Sequence, residues 1–242
     1  MGAFVIVLRE AFEASLVVGL IFAFLNKTGQ RERHGAAVWQ GTAWAIGTSV
    51  AMGAILFATV GELEGSAEQV YEGTAMLLAA VVLTWMVFWM RKQARTIGGA
   101  LRAQVGDAVA AGGRWALAAV AFVAVAREGL ESALFLFVSV GDSGIAQTTI
   151  GGALGLAAAV GLGIAFYRGS LRLDLHKFFL VTGLLVIAFA AYLLVGALHE
   201  FGEAGAGETL EIAGPAAAIL FAAICGWLYV RGSRAPVAAS ER

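Results

Sequence analysis

Charged side chains are scarce in this sequence, and so are cysteine, proline and histidine. The 242 residues include one cysteine, two prolines and three histidines, and only 14% of them are charged. The single cysteine, Cys225, cannot form an intrachain disulfide, which excludes a disulfide-stabilised secreted domain. Soluble domains carry about 25% charged residues, so 14% charged and 60% apolar residues exclude a soluble enzyme and a disordered chain. A net charge of -1 removes the case for nucleic-acid binding.

Long apolar segments are abundant instead. A transmembrane helix needs about 20 mostly apolar residues, and such segments lie between the polar interruptions of this chain. There are seven of them, at residues 3–25, 37–60, 70–90, 114–139, 148–167, 178–198 and 213–230. The alternating segments of roughly ten residues that are typical of a transmembrane barrel do not occur. The sequence therefore predicts an all-α polytopic membrane protein with seven transmembrane helices.

Basic residues are confined to alternate connections between these segments. Fourteen of the 16 lie after the first, third, fifth and seventh segments. By the positive-inside rule these connections are cytoplasmic, so the N-terminus is predicted outside and the C-terminus inside. The opposite connections contain no basic residue and nine acidic ones: Glu62, Glu64, Glu68, Glu72, Asp142, Glu200, Glu203, Glu208 and Glu211.

Six charged residues lie well inside the predicted spans, away from their ends: Arg9, Glu10, Glu13, Arg127, Glu128 and Glu131. Each costs about 2.5–3.5 kcal/mol at the centre of a span, so we expect them to be paired, hydrated or metal-bound. They form two copies of the pattern R-E-x-x-E. On a helix the two glutamates of a copy lie at i and i+3 on one face, and the arginine and second glutamate at i and i+4. Each copy therefore predicts a partly neutralised carboxylate pair that faces the bundle interior.

The two copies lie on the first and fourth segments, which cross the membrane in opposite directions. This arrangement is the signature of an inverted repeat. The sequence predicts one transmembrane domain, 1–242, made of repeat 1 (about 1–92), repeat 2 (about 114–199), a seventh helix (about 213–230) and a cytoplasmic tail (231–242). At about 1.5 Å per residue the four glutamates reach similar depths, just outside the midplane. We expect Arg9 and Arg127 each to approach the glutamates of both copies.

Small residues recur at every fourth position in two of the segments. The stripes are Ala11, Ser15, Gly19 and Ala23 in the first segment, and Gly151, Gly155, Ala159 and Gly163 in the fifth. Such stripes let helices pack closely in lipid, so we expect the fifth segment to press on the motif helices, although a chain this rich in glycine and alanine also produces stripes by chance. Residues 95–113 form either a short amphipathic helix on the cytoplasmic surface or a loop.

The charged cluster favours a small, highly charged cation. Four glutamates and two arginines carry a formal charge of -2, and carboxylate oxygens are hard ligands suited to Fe(III), Fe(II) or Mn(II). The candidate metal ligands are Glu10, Glu13, Glu128 and Glu131, and the charge-balancing residues are Arg9 and Arg127. An internal salt-bridge network and a proton relay are the alternatives. No nucleophile or redox ligand set accompanies the acids, so we do not expect an enzyme.

A second acidic group lies on the predicted outer face, where two further E-x-x-E spacings adjoin a histidine. Its members are His199, Glu200, Glu203, Glu208 and Glu211. A negatively charged mouth raises the local concentration of cations. We interpret these residues as a candidate outer vestibule, with solvated acidic loops as the alternative.

The doubled motif resembles the twin R-E-G-L-E signature of the iron permease family, which comprises fungal high-affinity iron permeases and bacterial EfeU-type inner-membrane permeases. The two copies read Arg9-Glu10-Ala11-Phe12-Glu13 and Arg127-Glu128-Gly129-Leu130-Glu131. The first departs from the signature at Ala11 and Phe12 but keeps every charged position, and the resemblance covers nearly the whole chain.

The resemblance implies a multi-pass permease of the bacterial inner membrane that imports iron as its transported substrate. It further implies that an external partner oxidises Fe(II), that Fe(III) is handed to the permease, and that the motif glutamates are translocation ligands. We expect no tightly bound cofactor. Some relatives are implicated in lead uptake, so a permease for Pb(II) or Mn(II) is an alternative, as is a proton-coupled carrier that uses the same carboxylates.

Overall fold

The computed structural model describes residues 2–59, 66–93, 97–110, 114–167, 174–206 and 208–234, and the regular secondary structure within these ranges is all helical. The helices are α1 (Gly2–Lys27), α2 (Arg31–Thr59), α3 (Ser66–Gln93), α4 (Ile97–Ala110), α5 (Arg114–Tyr167), α6 (Leu175–Phe201) and α7 (Glu208–Arg234), with a π-helical segment, Gly202–Ala206, after α6. The predicted all-α class is confirmed.

Four stretches of the described residues are long and apolar enough to cross a membrane: Gln69–Arg91, Gly144–Tyr167, Leu175–Gly205 and Ile212–Ser233. They match the predicted third, fifth, sixth and seventh segments, which supports a multi-pass membrane protein. The other three predicted segments are helical as α1, α2 and the first half of α5. Two of these three, α1 and the first half of α5, each carry the three charged residues of an R-E-x-x-E motif. The count of seven spans and their orientation stay predictions.

Glycines with positive φ explain where two helical stretches end. Gly29, with φ 68°, makes the turn between α1 and α2. Gly144, with φ 78° and ψ 160°, interrupts α5 and divides it into a first half (114–143) and a second half (144–167). Both have φ values that glycine adopts without a Cβ penalty. The break at Gly144 falls in the connection predicted between the fourth and fifth segments.

The chain divides into two compact units. Unit 1 comprises Met1–Glu62 and Gln93–Leu173, and unit 2 comprises Leu63–Lys92 and Asp174–Arg242. Unit 1 therefore holds the first two segments of each predicted repeat. Unit 2 holds the third segment of each, together with the seventh. The single domain and the repeat boundaries predicted from the sequence stay predictions.

In unit 1, α1 and the first half of α5 run antiparallel. Near the C-terminal end of α1, Leu25 belongs to the same buried apolar cluster as Leu117, which lies near the start of α5. About four turns earlier in α1, Glu10 lies beside Glu128, further along α5. The two motif helices thus cross in opposite directions, as the inverted order of the segments predicts.

Helix α4 closes one end of unit 1. Its Leu101, Val105 and Ala108 are buried against the cluster that contains Leu25 and Leu117. These three residues lie one and two turns apart, so they form one apolar face. Of the two structures considered for residues 95–113, the described part, Ile97–Ala110, is a helix.

The second half of α5 packs closely on α1 through its small residues. A Cβ on Gly155 would lie 2.6 Å from the carbonyl oxygen of Phe4 and 3.0 Å from the backbone nitrogen of Leu8. A Cβ on Gly163 would lie 2.6 Å from the hydroxyl oxygen of Ser15. The predicted contact between the fifth segment and a motif helix is present.

We expect Gly155→Ala to destabilise the protein, because the new methyl group would meet rigid backbone atoms of α1. Overpacking of this kind costs about 1–3 kcal/mol. Gly161→Ala in the same helix is the matched control, since a Cβ added there would have no atom within 4 Å. Thermal unfolding of the detergent-solubilised protein measures both variants. Equal melting temperatures would contradict the close contact.

A further stripe of small residues, Gly41, Ala45, Ser49 and Gly53, joins α2 to the first half of α5. A Cβ on Gly41 would collide with the carbonyl oxygen of Ala118, and one on Gly53 would lie 3.7 Å from the Cβ of Ala133. These contacts make α2 parallel to the first half of α5. The four-residue spacing is the sequence signal for this stripe, and it has the same period as the two predicted ones.

In unit 2, Tyr229 of α7 connects three helices. Its hydroxyl donates to the carbonyl oxygen of Phe179 in α6 at 2.9 Å. Its ring lies 5.5 Å from the guanidinium carbon of Arg91 in α3. Arg91 in turn donates to the carbonyl oxygens of Leu228 and Tyr229, at 3.1 and 2.8 Å. A Cβ on Gly183 would collide with the Tyr229 hydroxyl, so the glycine makes room for this contact.

Candidate metal centre

The first R-E-x-x-E copy forms a buried ion-pair group on α1. The Nε atom of Arg9 lies 3.3 Å from Glu13 Oε1, and its Nη1 lies 3.7 Å from Glu10 Oε1. Arg9 is 2% exposed and Glu10 is 0% exposed. The i, i+4 spacing brings Arg9 and Glu13 together one helical turn apart, as the motif predicts.

The second copy repeats this pairing on the first half of α5. The Nε atom of Arg127 lies 3.1 Å from Glu131 Oε1 and 3.9 Å from Glu128 Oε1. Each arginine thus pairs with both glutamates of its own copy. The ion pairs described here all lie within a copy, and the expected approach of each arginine to the opposite copy stays a prediction.

The two copies meet through their glutamates. Glu10, Glu128 and Glu131 each offer a carboxylate oxygen, and the three oxygens lie within 4.8 Å of one another. They come together because α1 and the first half of α5 run antiparallel, with their motif faces opposed. Glu13 lies outside this set of three, next to Arg9. Its role as a ligand stays a prediction.

Each of these three glutamates has at least one oxygen without a hydrogen bond. Oε2 of Glu10, of Glu128 and of Glu131 is buried and accepts none from the part of the chain that the structure describes. An unsatisfied buried polar group costs about 1–3 kcal/mol, and more when it is charged. Each glutamate of the cluster therefore has a buried carboxylate oxygen with unused hydrogen-bonding capacity, and carboxylate oxygens are ligands suited to a hard cation.

Helix α2 forms one wall of this cluster. Ser49 is 8% exposed and faces Gly129, one of the two residues between the glutamates of the second motif. A Cβ at position 129 would collide with the Ser49 hydroxyl oxygen, which itself donates to the Ala45 carbonyl at 2.9 Å. Ser49 was not among the predicted site residues. The sequence signal for it is its place in the small-residue stripe on α2.

The predicted outer vestibule is described in part, within unit 2. Nε2 of His199 lies 3.4 Å from Glu203 Oε1, and Gln69 donates to Glu203 Oε2 at 3.1 Å. Glu200 is partly buried. The side chains of Glu208 and Glu211 lie outside the described residues. The structure therefore joins His199 and Glu203, and adds Gln69, which the sequence did not indicate.

Fold and site together define a helical membrane protein with a buried, oxygen-only carboxylate cluster. Residues 1–232 match the Iron permease FTR1 family. The chain belongs to this family.

Curated relatives agree. The chain is 41% identical over 204 residues to the ferrous iron permease EfeU of Escherichia coli O6:H1. The aligned region covers 84% of this chain and 74% of the relative. It is 42% identical over 204 residues to the ferrous iron permease EfeU of Yersinia pestis, with 84% and 72% covered. These relatives are named as permeases, which are transporters. No solved structure matches the chain significantly.

Proposed function

We propose that the protein imports iron across the bacterial inner membrane through the cluster formed by its two R-E-x-x-E motifs. The observation that carries the proposal is the convergence of Glu10, Glu128 and Glu131, whose carboxylate oxygens lie within 4.8 Å of one another. Ionisable groups inside membrane helices mark ion pathways. Membership of the iron permease family supports iron as the ion.

In this mechanism a cation exchanges its water for the carboxylate oxygens of the cluster and leaves inward when one half of the protein rocks against the other. The buried orphan oxygens supply negative charge without requiring a large rearrangement. Arg9 and Arg127 hold the empty site compact, because uncompensated like charges at this distance repel strongly in a medium of low dielectric. Glu13 contributes to the charge balance beside Arg9.

The proposed route uses the predicted topology of seven spans, with the N-terminus outside and an inverted repeat. Two equivalent contacts between helices support the inverted repeat. Gly53 of α2 approaches Ala133, and Gly163 of α5 approaches Ser15. Gly53 and Gly163 are 110 positions apart, while Ser15 and Ala133 are 118 apart, the same offset as the two motifs.

The same two offsets relate a second pair of contacts, Ala45 with Ala126 and Gly155 with Leu8. In both cases the second helix of one repeat packs on the motif helix of the other. A pseudo-twofold axis in the membrane plane produces this reciprocity. The exposed Trp115 and Trp227, stacked by Arg114 and Arg231, support the orientation, because such pairs suit the cytoplasmic interface.

For the oxidation state, we propose that an external partner oxidises Fe(II) and that Fe(III) enters the site. The names of the relatives specify ferrous iron. This agrees with Fe(II) as the form of iron that reaches the external partner. Three carboxylates that gather on one ion suit the higher charge of Fe(III). An acidic outer face fits capture of either ion.

Uptake into proteoliposomes tests the function. The purified full chain is reconstituted and offered Fe(II) under reducing conditions, Fe(III) as a soluble chelate, Mn(II) and Pb(II), with and without a pH gradient. We expect uptake of iron above that of empty vesicles, with Fe(III) preferred. If Mn(II) or Pb(II) is taken up in preference to iron, that ion replaces iron as the proposed substrate. Proton flux that does not depend on the cation would indicate a proton carrier. No uptake of any ion would reject the transport proposal.

We expect Glu203→Gln to raise the apparent KM for iron by up to about ten-fold with little change in the maximal rate. The reason is that Glu203 belongs to the predicted outer vestibule, where its charge concentrates cations and pairs with His199. Initial uptake rates over a range of iron concentrations measure both constants. Glu32→Gln, at an exposed site on α2, is the control. An unchanged KM would return Glu203 to the role of a solvated surface acid.

A further inference from the structure

The two R-E-x-x-E copies have the same sequence pattern but different surroundings. The side chains of Arg9 and Glu13 are 3% and 10% exposed. Those of Arg127 and Glu131, at the equivalent positions, are 31% and 23% exposed. Charged groups at membrane depth face the bundle interior or water, not lipid. The second copy is therefore the more accessible to water, and the first copy is buried inside unit 1.

The copies also differ in which glutamate belongs to the cluster. Glu131 is one of the three residues with converging oxygens, whereas its counterpart Glu13 is not. Glu131 places Oε1 on Arg127 at 3.1 Å, while its Oε2 is buried and accepts no hydrogen bond from the described residues. One carboxylate thus touches both the accessible arginine and the cluster.

We propose that the Arg127–Glu131 pair is the gate of the ion site and that the Arg9–Glu13 pair is a fixed counter-charge. This inference rests on the proposed function, because it takes iron as the ion that the cluster holds. An arriving ion competes with Arg127 for Glu131, and Arg127 turns away from Glu131 toward water as the ion binds. The ionised carboxylates of Glu10, Glu128 and Glu131 then match the charge of Fe(III). Return of Arg127 to Glu131 favours release.

Thiol labelling in full-length protein tests the gate. Arg127→Cys and Arg9→Cys are each made in a Cys225→Ser background, because Cys225 is the single native thiol. A water-soluble, positively charged methanethiosulfonate is added to reconstituted protein with and without Fe(III) chelate. We expect position 127 to react about ten-fold faster than position 9, in line with its greater exposure. Bound iron should slow the reaction at position 127, because the charge of the ion on Glu131 repels the positively charged reagent. Equal rates, or no protection by iron at position 127, would overturn the gate.

A second measurement does not depend on the folding of Arg9→Cys. Glu131→Gln and Glu13→Gln keep the size and hydrogen-bonding capacity of the side chain, and equilibrium binding of Fe(III) is measured on each purified protein. We expect Glu131→Gln to weaken binding at least about ten-fold more than Glu13→Gln, since even the loss of a group that supports a metal ligand costs about 10–100-fold in affinity. Equal losses would make the two copies equivalent and reject the division of roles.

Failure of this inference is distinguishable from failure of the function. If wild-type vesicles take up iron but the two arginine positions label alike, the transport proposal stands and the gate falls. If wild-type vesicles take up no iron and iron protects neither position, the transport proposal falls and the gate falls with it.

Discussion

Replacing Glu10 by glutamine should reduce iron uptake at least about 100-fold, at the upper end of the losses seen when a metal site loses a supporting group. Glu10 is the most enclosed member of the cluster, with 0% exposure. Both of its carboxylate oxygens are buried without a hydrogen bond from the described residues. Glutamine has the same shape but only one oxygen and no negative charge, so the cluster loses both a ligand and a charge.

Glu128→Gln should have a similar effect, because Glu128 faces Glu10 from the other motif helix. Radio-iron uptake into proteoliposomes measures both variants, after their amounts in the membrane have been matched to wild type. Glu32→Gln, the same change at an exposed site in unit 1, should leave uptake intact. Normal uptake by both cluster variants would remove the cluster from the transport route.

The second large effect is on stability. We expect Arg9→Gln to destabilise the protein by about 3–5 kcal/mol, because removal of one partner leaves uncompensated charge in the interior. Arg9 pairs with Glu13 at 3.3 Å and with Glu10 at 3.7 Å, and its side chain is 3% exposed. Little of this variant should accumulate in the membrane.

The double variant Arg9→Gln/Glu13→Gln should recover much of that loss, since it removes one positive and one negative charge from the same buried pair. Membrane abundance and thermal unfolding in detergent measure the recovery. Arg33→Gln, at an exposed position near the start of α2, is the control and should behave like wild type. If the double variant is no more stable than Arg9→Gln alone, the buried charge balance is not what Arg9 provides.

Several features of the site could be predicted because they depend on short-range helical geometry. The pairing of Arg9 with Glu13, and of Arg127 with Glu131, follows from a spacing of four residues on any helix. The contact of Gly155 and Gly163 with α1 follows from a stripe of small residues. The break in α5 at Gly144 falls where a glycine-rich connection separates two apolar segments.

Other features depend on how distant helices pack. The helical form of Ile97–Ala110 was one of two open alternatives, because its apolar face is short and becomes stable only against α1 and α5. The stripe on α2 that sets Ser49 against Gly129 has the right period, but its partner helix lies about 80 residues away in the chain. Spacing along one helix does not identify such a partner.

Composition and span length were enough to predict a helical membrane protein, and local spacing was enough to predict a doubled motif of four glutamates and two arginines. The iron permease family was indicated by the resemblance of that motif and shown by the match over residues 1–232. Packing between helices was needed to show that carboxylate oxygens of Glu10, Glu128 and Glu131 converge, and that the second copy is more accessible than the first. Identical local patterns acquire different roles here because each copy has different neighbours from the rest of the fold.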